Sequence, residues 1–429
     1  MSFSSDLLRP GSECYESRPA EISRTPRDAA TIAAVEPARI RVLRSESEIE
    51  SLRDAWARMQ SNPNADLDFY LMVARSTPAI VRPYVLVVYR GEEPSALLVG
   101  RVEKMQMSAS IGYLRLPGPR VQALTFIHGG LVGCPSQEDC ELLAWQIRDS
   151  LRHGEADLAY FNHLRADSSL VRCLHQTPLP VRDFFPAFTS HRRFVLSGNS
   201  SEFRARLSPK ALRNRRQEAQ KLCRAFGGDV RVECLRQPSD LDRMVREIEQ
   251  VAKKTYQRGM SVGFRGEPDE WARLQFKAER GWLRTYILYA AGKPCAFFSG
   301  TLYKGALFGD YMGYDPAYRK YSPGMYLVMQ MIESLGKEKA SEEIEAVDFG
   351  LGDARYKAQI CNDEWQEISE MILIATSFMQ AETVYWNSSE IRHAWHWVRM
   401  NATEDRMPIR VMYPGKGLFQ DYTPEYVGI

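Results

Sequence analysis

The run Ala306-Leu307-Phe308-Gly309-Asp310-Tyr311-Met312-Gly313-Tyr314, then Arg319-Lys320-Tyr321-Ser322-Pro323-Gly324, then the apolar stretch Met325 to Leu335, decides how this chain reads. The first segment has the aromatic and apolar character of a strand, and the last has the period of a buried helix. Between them lies a basic, Gly-containing turn. A helix start leaves N–H groups without intrahelical acceptors, and the helix dipole adds positive potential, so such a turn suits a phosphate or pyrophosphate. Ser322 reads as the N-cap and Pro323 as the first helical residue. Gly324 leaves the backbone open to a ligand. A second short strand, Ile344 to Phe349, runs into Asp348-Phe349-Gly350-Leu351-Gly352-Asp353-Ala354-Arg355-Tyr356-Lys357.

Working outward, the order of elements appears twice. The first half reads as Ile40 to Leu43, a helix capped by Ser45 with Glu48 and reaching about Gln60, and strands Tyr84 to Tyr89 and Ser95 to Val102. It continues with strands Tyr113 to Leu116 and Ala123 to Phe126, a helix Gln137 to His153 capped by Ser136, and a strand Asp157 to Phe161. The second half reads as a strand Val230 to Cys234, helices capped by Ser239 and Asp269, and a hairpin Leu283–Tyr289/Ala296–Tyr303. The strand–turn–helix–strand above follows, with a final strand Glu367 to Ile374. Sequential hairpins argue against a wholly parallel sheet. No residue-level repeat accompanies the repeated order.

Arg319-x-x-Ser322-x-Gly324 resembles the Arg/Gln-x-x-Gly-x-Gly/Ala pyrophosphate turn of GNAT acyltransferases. Together with Asp348-Phe349-Gly350-x-Gly352-Asp353-x-x-Tyr356-Lys357, it resembles the bacterial cellulose and exopolysaccharide-biosynthesis acetyltransferase branch, which is related to the Fem-like peptidyltransferases. The resemblance covers roughly residues 190 to 375. The sequence departs from the pattern in that Ser322 replaces the first Gly and Pro323 removes a donor. The resemblance implies an α/β (α+β) fold of tandem GNAT-like domains, each a mixed, mostly antiparallel sheet flanked by helices. The alternative is one C-terminal GNAT domain beside an unrelated N-terminal one. The expected division is a disordered leader 1–38, a degenerate GNAT-like domain 39–190, a GNAT acyltransferase domain 191–376, and a C-terminal helical extension 377–429. The implied co-substrate is acetyl-CoA or another acyl-CoA, transferred directly to an amine, hydroxyl or saccharide acceptor without a metal.

The resemblance also assigns roles to residues. The main chain of Met312 is the expected oxyanion contact, and Arg319, Lys320, Tyr321, Ser322 and Gly324 the expected diphosphate contacts. Asp348 and Asp353 are the candidate bases. Asp348 sits inside a strand pattern, where burial of a carboxylate raises its pKa toward that of a general base; a structural Asp bonded to local backbone or to Lys357 is the other reading. Asp353 reads equally as a cap for residues 354–359. Tyr356 and Lys357 match the family's terminal pair and are candidate acceptor contacts. The helix 209–226, opened by Ser208-Pro209 and closed by Gly227-Gly228, carries Arg213, Arg215, Arg216, Lys221 and Arg224. It is either a solvated face or a dock for an anionic acceptor, with Arg215 the chosen contact; tRNA is a weaker candidate partner.

Composition bounds these readings. The chain has 429 residues with 56 Lys+Arg against 54 Asp+Glu, so net charge gives no support to wholesale nucleic-acid binding. The 8 cysteines form no C-x-x-C pair and lack clustered His, which argues against structural zinc and suits a reducing cytoplasm. There is no signal-peptide pattern at Met1 to Asp6 and no apolar run of the about 20 residues needed to cross a bilayer. A cytoplasmic protein is expected. His393 and His396 lie three apart among Trp386, Trp395 and Trp397, with no third ligand nearby. His128-Gly129-Gly130 has an esterase-like look but no G-x-S-x-G elbow, and Cys361 and Ser322 have no His beside them in sequence. A catalytically inactive GNAT scaffold is the rival from outside the enzymes.

Overall fold

The computed structural model describes residues 37–111, 114–176, 182–184, 187–196, 207–255, 258, 263–342, 344–374 and 410–411. The described residues form one compact unit. In chain order the strands of the first half are β1 Ala38–Leu43, β2 Ile80–Arg90, β3 Glu93–Ile111, β4 Leu114–Gly133, β5 Leu158–Arg165, β6 Arg182–Phe184 and β7 Ala187–Val195. Those of the second are β8 Val230–Leu235, β9 Leu283–Ala290, β10 Lys293–Tyr303, β11 Ala306–Tyr314, β12 Ala346–Leu351, β13 Asp363–Ile374 and β14 Arg410–Val411. They make one sheet in the order β1-β2-β3-β4-β5-β13-β7-β12-β11-β10-β9-β8, with β14 added to β3 and β6 to β13.

Followed inward from either edge, the sheet has the same pattern. β1 to β4 pair antiparallel in sequence, β4 pairs β5 in parallel, and β5 pairs antiparallel with β13. β8 to β11 pair antiparallel, β11 pairs β12 in parallel, and β12 pairs antiparallel with β7. Each half therefore completes its sheet with the other half's last strand, and the exchanged strands β7 and β13 pair with each other at the seam. The fold is a tandem repeat of one mixed α/β layout. A cut at 190/191 falls inside β7.

Alternation along the strands gives each half two apolar faces. In the second half, Leu288, Phe298, Val347 and Phe349 pack under helix Pro323–Glu342 with its buried Leu327, Val328, Met331, Ile332 and Leu335. Ile287, Tyr289 and Phe297 point the other way, onto helices Leu241–Ala252 and Pro268–Glu279. The first half does the same with helix Gln137–Arg152 on one face and Leu67–Ser76 on the other.

Several boundaries differ from the sequence reading. The helix expected from Ser45 to Gln60 breaks into Glu46–Glu50 and Arg53–Met59, and helix Leu67–Ser76 was not anticipated. The strands expected at Ser95–Val102 and Ala123–Phe126 are parts of the much longer β3 and β4. Asp240 and Glu267, rather than Ser239 and Asp269, precede their helices. Residues 1–36, and His393 and His396 with the rest of the extension apart from β14, lie outside the described residues.

Gly300 sits where β10 and β11 change register. A Cβ built there would come 2.5 Å from the Phe308 carbonyl oxygen, a backbone atom that cannot step aside. Gly300→Ala is expected to cost about 1–3 kcal/mol by overpacking. Denaturant unfolding checks this, and an unchanged midpoint would show that the strands can part at no cost.

Candidate active site

β11 and β12 pair only through Ala306↔Ala346, Leu307↔Val347 and Phe308↔Asp348. Two bulges then drive them apart. On β11, Asp310 has no partner between the pairs Gly300↔Gly309 and Ser299↔Tyr311, and an extra residue bends a strand. On β12, Phe349 and Gly350 stand against Arg192 alone, with Gly350 at φ 65°. At the apex a Cβ on Gly309 would lie 3.3 Å from the Asp348 carbonyl oxygen. Beyond it the Gly309–Tyr314 edge, including the main chain of Met312, has no strand partner on the β12 side among the described residues.

At the mouth of this wedge, Arg319, Lys320 and Tyr321 belong to a 3-10 helix Pro316–Tyr321 rather than to an open turn. Asp315 caps it by accepting the Ala317 N–H at 3.0 Å, and Lys254 neutralises Asp315 at 2.6 Å. Tyr318 and Tyr321 pack on Phe226 at the end of helix Pro209–Ala225. Ser322 stands directly before the helix, where an N-cap was expected; its backbone is left-handed (φ 50°, ψ 50°), and its carbonyl accepts the Tyr326 N–H at 3.1 Å. That conformation is one that Gly adopts without strain and most other residues do not. The first turn of helix Pro323–Glu342 carries no acidic side chain, and Arg319 and Lys320 are exposed beside it.

Asp348 faces away from Val347 and Phe349, which face the helix Pro323–Glu342 core. It is buried but not unpaired: Oδ1 accepts from His191 Nε2 at 2.7 Å and from the Gly350 N–H at 2.7 Å. Oδ2 carries neither bond. His191 stacks on Trp365 with ring centroids 4.2 Å apart. Its Nδ1 lies 2.9 Å from Glu367 Oε1, and Glu367 Oε2 lies 3.0 Å from His128 Nε2. Burial opposes a charge on His191, but the bonds to Asp348 and Glu367 outweigh it and push its pKa up to about 9. Burial likewise opposes charge on Glu367, yet His128 and His191 hold it well below the usual carboxylate range.

The remaining sequence candidates behave differently. Asp353 is exposed, pairs with Arg192 at 2.6 Å, and does not cap the next helix, whose N-cap is Ala354. It lacks the desolvation a general base needs. Lys357 is buried, with Nζ donating to the carbonyls of Gly350 and Leu351, and burial lowers its pKa to about 8. It holds the β12 bulge instead of reaching an acceptor. Tyr356 packs edge-on against Phe349, and burial raises its pKa. Arg215 is taken up by Glu218 at 2.7 Å, whereas Arg213, Arg216, Lys221 and Arg224 are exposed.

The first half repeats the wedge with different side chains. β4 and β5 pair only over Ala123–Phe126 and Leu158–Phe161, and a bulge in β5 puts His163, φ 61°, where β12 has Gly350. By the same register Phe161 stands where Asp348 stands. Helix Gln137–Arg152 opens with Glu138 and Asp139, both paired with Arg90, and Asp139 closes a capping box with Ser136, so side chains already occupy the N–H groups at its start.

Residues 209–358 match the family model of the acetyltransferase (GNAT) domain. The match takes in about a third of the chain, all of it in the second half. No curated protein matches the sequence. Among solved structures the chain is similar to FemX (11% identity, 80% of this chain and 99% of that one, TM-score 0.49). It is also similar to L-PGS from Bacillus licheniformis (11%, 80% and 97%, 0.43) and to a tandem GNAT protein from the clavulanic acid biosynthesis pathway (12%, 78% and 98%, 0.42). Among the described residues no helix is long and apolar enough to cross a membrane.

Proposed function

We propose that the second half is an acyl-CoA-dependent N- or O-acyltransferase that moves an acyl group directly to an amine or hydroxyl. The observation that carries this reading is the β11/β12 wedge, closed at its apex by Asp348 and open at its mouth onto a basic, acid-free helix start. The diphosphate sits on the N–H groups of Gly324 and Met325 with Arg319 and Lys320 beside it, and the thioester enters the wedge, its oxygen facing the Met312 main chain. Asp348 Oδ2 takes the proton of the attacking amine or hydroxyl, while His191 and the Gly350 N–H hold the other oxygen in place. The acceptor class, an amino sugar or a polysaccharide hydroxyl of the cell envelope, comes from the sequence resemblance.

Acceptor-dependent release of free coenzyme A from acetyl-CoA, screened over amines, amino sugars and nucleotide sugars, tests the reaction. Turnover with one class establishes it, and tight acyl-CoA binding with no turnover across the panel would favour an inactive scaffold. Ser322→Asp sets a carboxylate against the diphosphate at a position that tolerates Asp in left-handed backbone. It is expected to lower acyl-CoA affinity by on the order of 10²-fold or more, since like charges at close range in a desolvated site cost several kcal/mol. Calorimetry reads the change, and unchanged affinity would move the diphosphate elsewhere.

A second reading is a Fem-like transferase drawing on aminoacyl-tRNA. The exposed face Arg213, Arg216, Lys221 and Arg224 beside the wedge mouth favours it. tRNA binding with a steep salt dependence, and no affinity for coenzyme A, would choose this reading over the first.

A further inference from the structure

A second cluster lies behind Asp348, and acyl transfer draws on it only through the bond from His191 to Asp348. His128 from β4, His191 from β7 and Glu367 from β13 converge there, 6%, 3% and 4% exposed. Their donor atoms all lie within 4.8 Å of one another. His191 Nδ1 approaches Glu367 Oε1 to 2.9 Å, yet neither that nitrogen nor Glu367 Oε2 has a hydrogen bond of acceptable geometry. A contact this short and poorly aligned for a hydrogen bond is spaced like two ligands of one ion. Metal–N and metal–O bonds of about 2.0–2.2 Å at tetrahedral angles set neighbouring ligands about 3.3 Å apart.

We infer that His128, His191 and Glu367 form a binding site for a divalent transition-metal ion of the zinc class. Two imidazoles and one carboxylate are a donor set zinc accepts, with a fourth position left for water. Outer partners are already in place. His191 donates its other ring N–H to Asp348 at 2.7 Å, the carboxylate–histidine–metal arrangement that fixes the tautomer and frees Nδ1 for the ion. Trp365 Nε1 donates to Glu367 Oε1 at 2.8 Å and its ring stacks on His191, so two ligands are held from behind. The ion's two positive charges would meet the carboxylates of Glu367 and Asp348. β4 belongs to the first half, and β7 and β13 are the exchanged strands, so the ion ties the repeats at their seam. The site stands independently of the acyl-CoA reading.

The test uses the full chain, stripped with a chelator and titrated with Zn²⁺ and, separately, with Co²⁺. The expected result is saturable binding of one ion per chain, with visible Co²⁺ bands of a nitrogen–oxygen site and no thiolate charge-transfer band. Glu367→Gln is expected to weaken zinc at least 100-fold. Asp348→Asn, which leaves an uncharged acceptor behind His191 in place of a carboxylate, is expected to weaken it about 10–100-fold. The Co²⁺ spectrum of the unmutated chain decides the matter even if Glu367→Gln fails to fold. No saturable binding below millimolar zinc would overturn the assignment, as would thiolate bands, which would put the ion on cysteines.

Discussion

Replacing Asp348 by Asn lowers turnover on the order of 10²–10⁴-fold and leaves acyl-CoA affinity nearly unchanged, the expected signature of a lost proton acceptor. The amide keeps the shape and can still accept from His191 and from the Gly350 N–H through its oxygen. What it loses is the charged oxygen that would take the acceptor's proton. Asp353→Asn is the matched comparison, because Asp353 is exposed and its partner Arg192 also pairs with Glu364 at 2.9 Å; its turnover stays within a few-fold of normal. Steady-state kinetics with both substrates, read beside the melting temperature, separates the outcomes. Near-normal turnover in Asp348→Asn would end its candidacy as the base, and a fall in melting temperature matching the loss of activity would make it a structural carboxylate.

Removing the ring of His191 has the largest expected effect on stability. His191 stands between Asp348 and Glu367, two carboxylates that are 6% and 4% exposed. Breaking a buried pair from one side leaves an uncompensated charge and costs about 3–5 kcal/mol. Here two charges lose the same partner, and Trp365 loses the ring it stacks on. His191→Ala is therefore expected to lose at least that much. Against a total stability of about 5–15 kcal/mol, that shifts the unfolding midpoint far down. His191→Gln, which can still donate one hydrogen bond, loses less. A loss below about 1 kcal/mol in His191→Ala would mean that water or His128 takes over both carboxylates.

The strand–turn–helix–strand of 306–349 was legible because its pattern is local: alternation, a Pro at the first helical position, and a Gly-rich exit. The repeated element order was legible for the same reason. The strand exchange was not, since nothing in β7 or β13 says which half will pair with it. Asp348 could be singled out as a carboxylate inside an apolar strand, but its partners could not. His191 falls at the expected domain boundary, and Glu367 reads as an ordinary polar residue at the start of a strand. His128 drew notice only through its two following glycines. These residues meet because the exchanged strands carry them to the seam, an effect of long-range register that no local pattern encodes. The carbonyl partners of Lys357 were hidden for the opposite reason. Its place in a motif suggested a ligand contact, whereas the bulge at Gly350 needs a buried donor for its carbonyls.

The central claim is that the wedge between β11 and β12 holds an acyl-CoA, and isothermal titration of the protein with acetyl-CoA and with free coenzyme A tests it most directly. The predicted result is one site per chain at sub-millimolar affinity for both, weakened by salt as a diphosphate contact should be. An absence of heat at millimolar ligand, in protein shown to be folded, would contradict it.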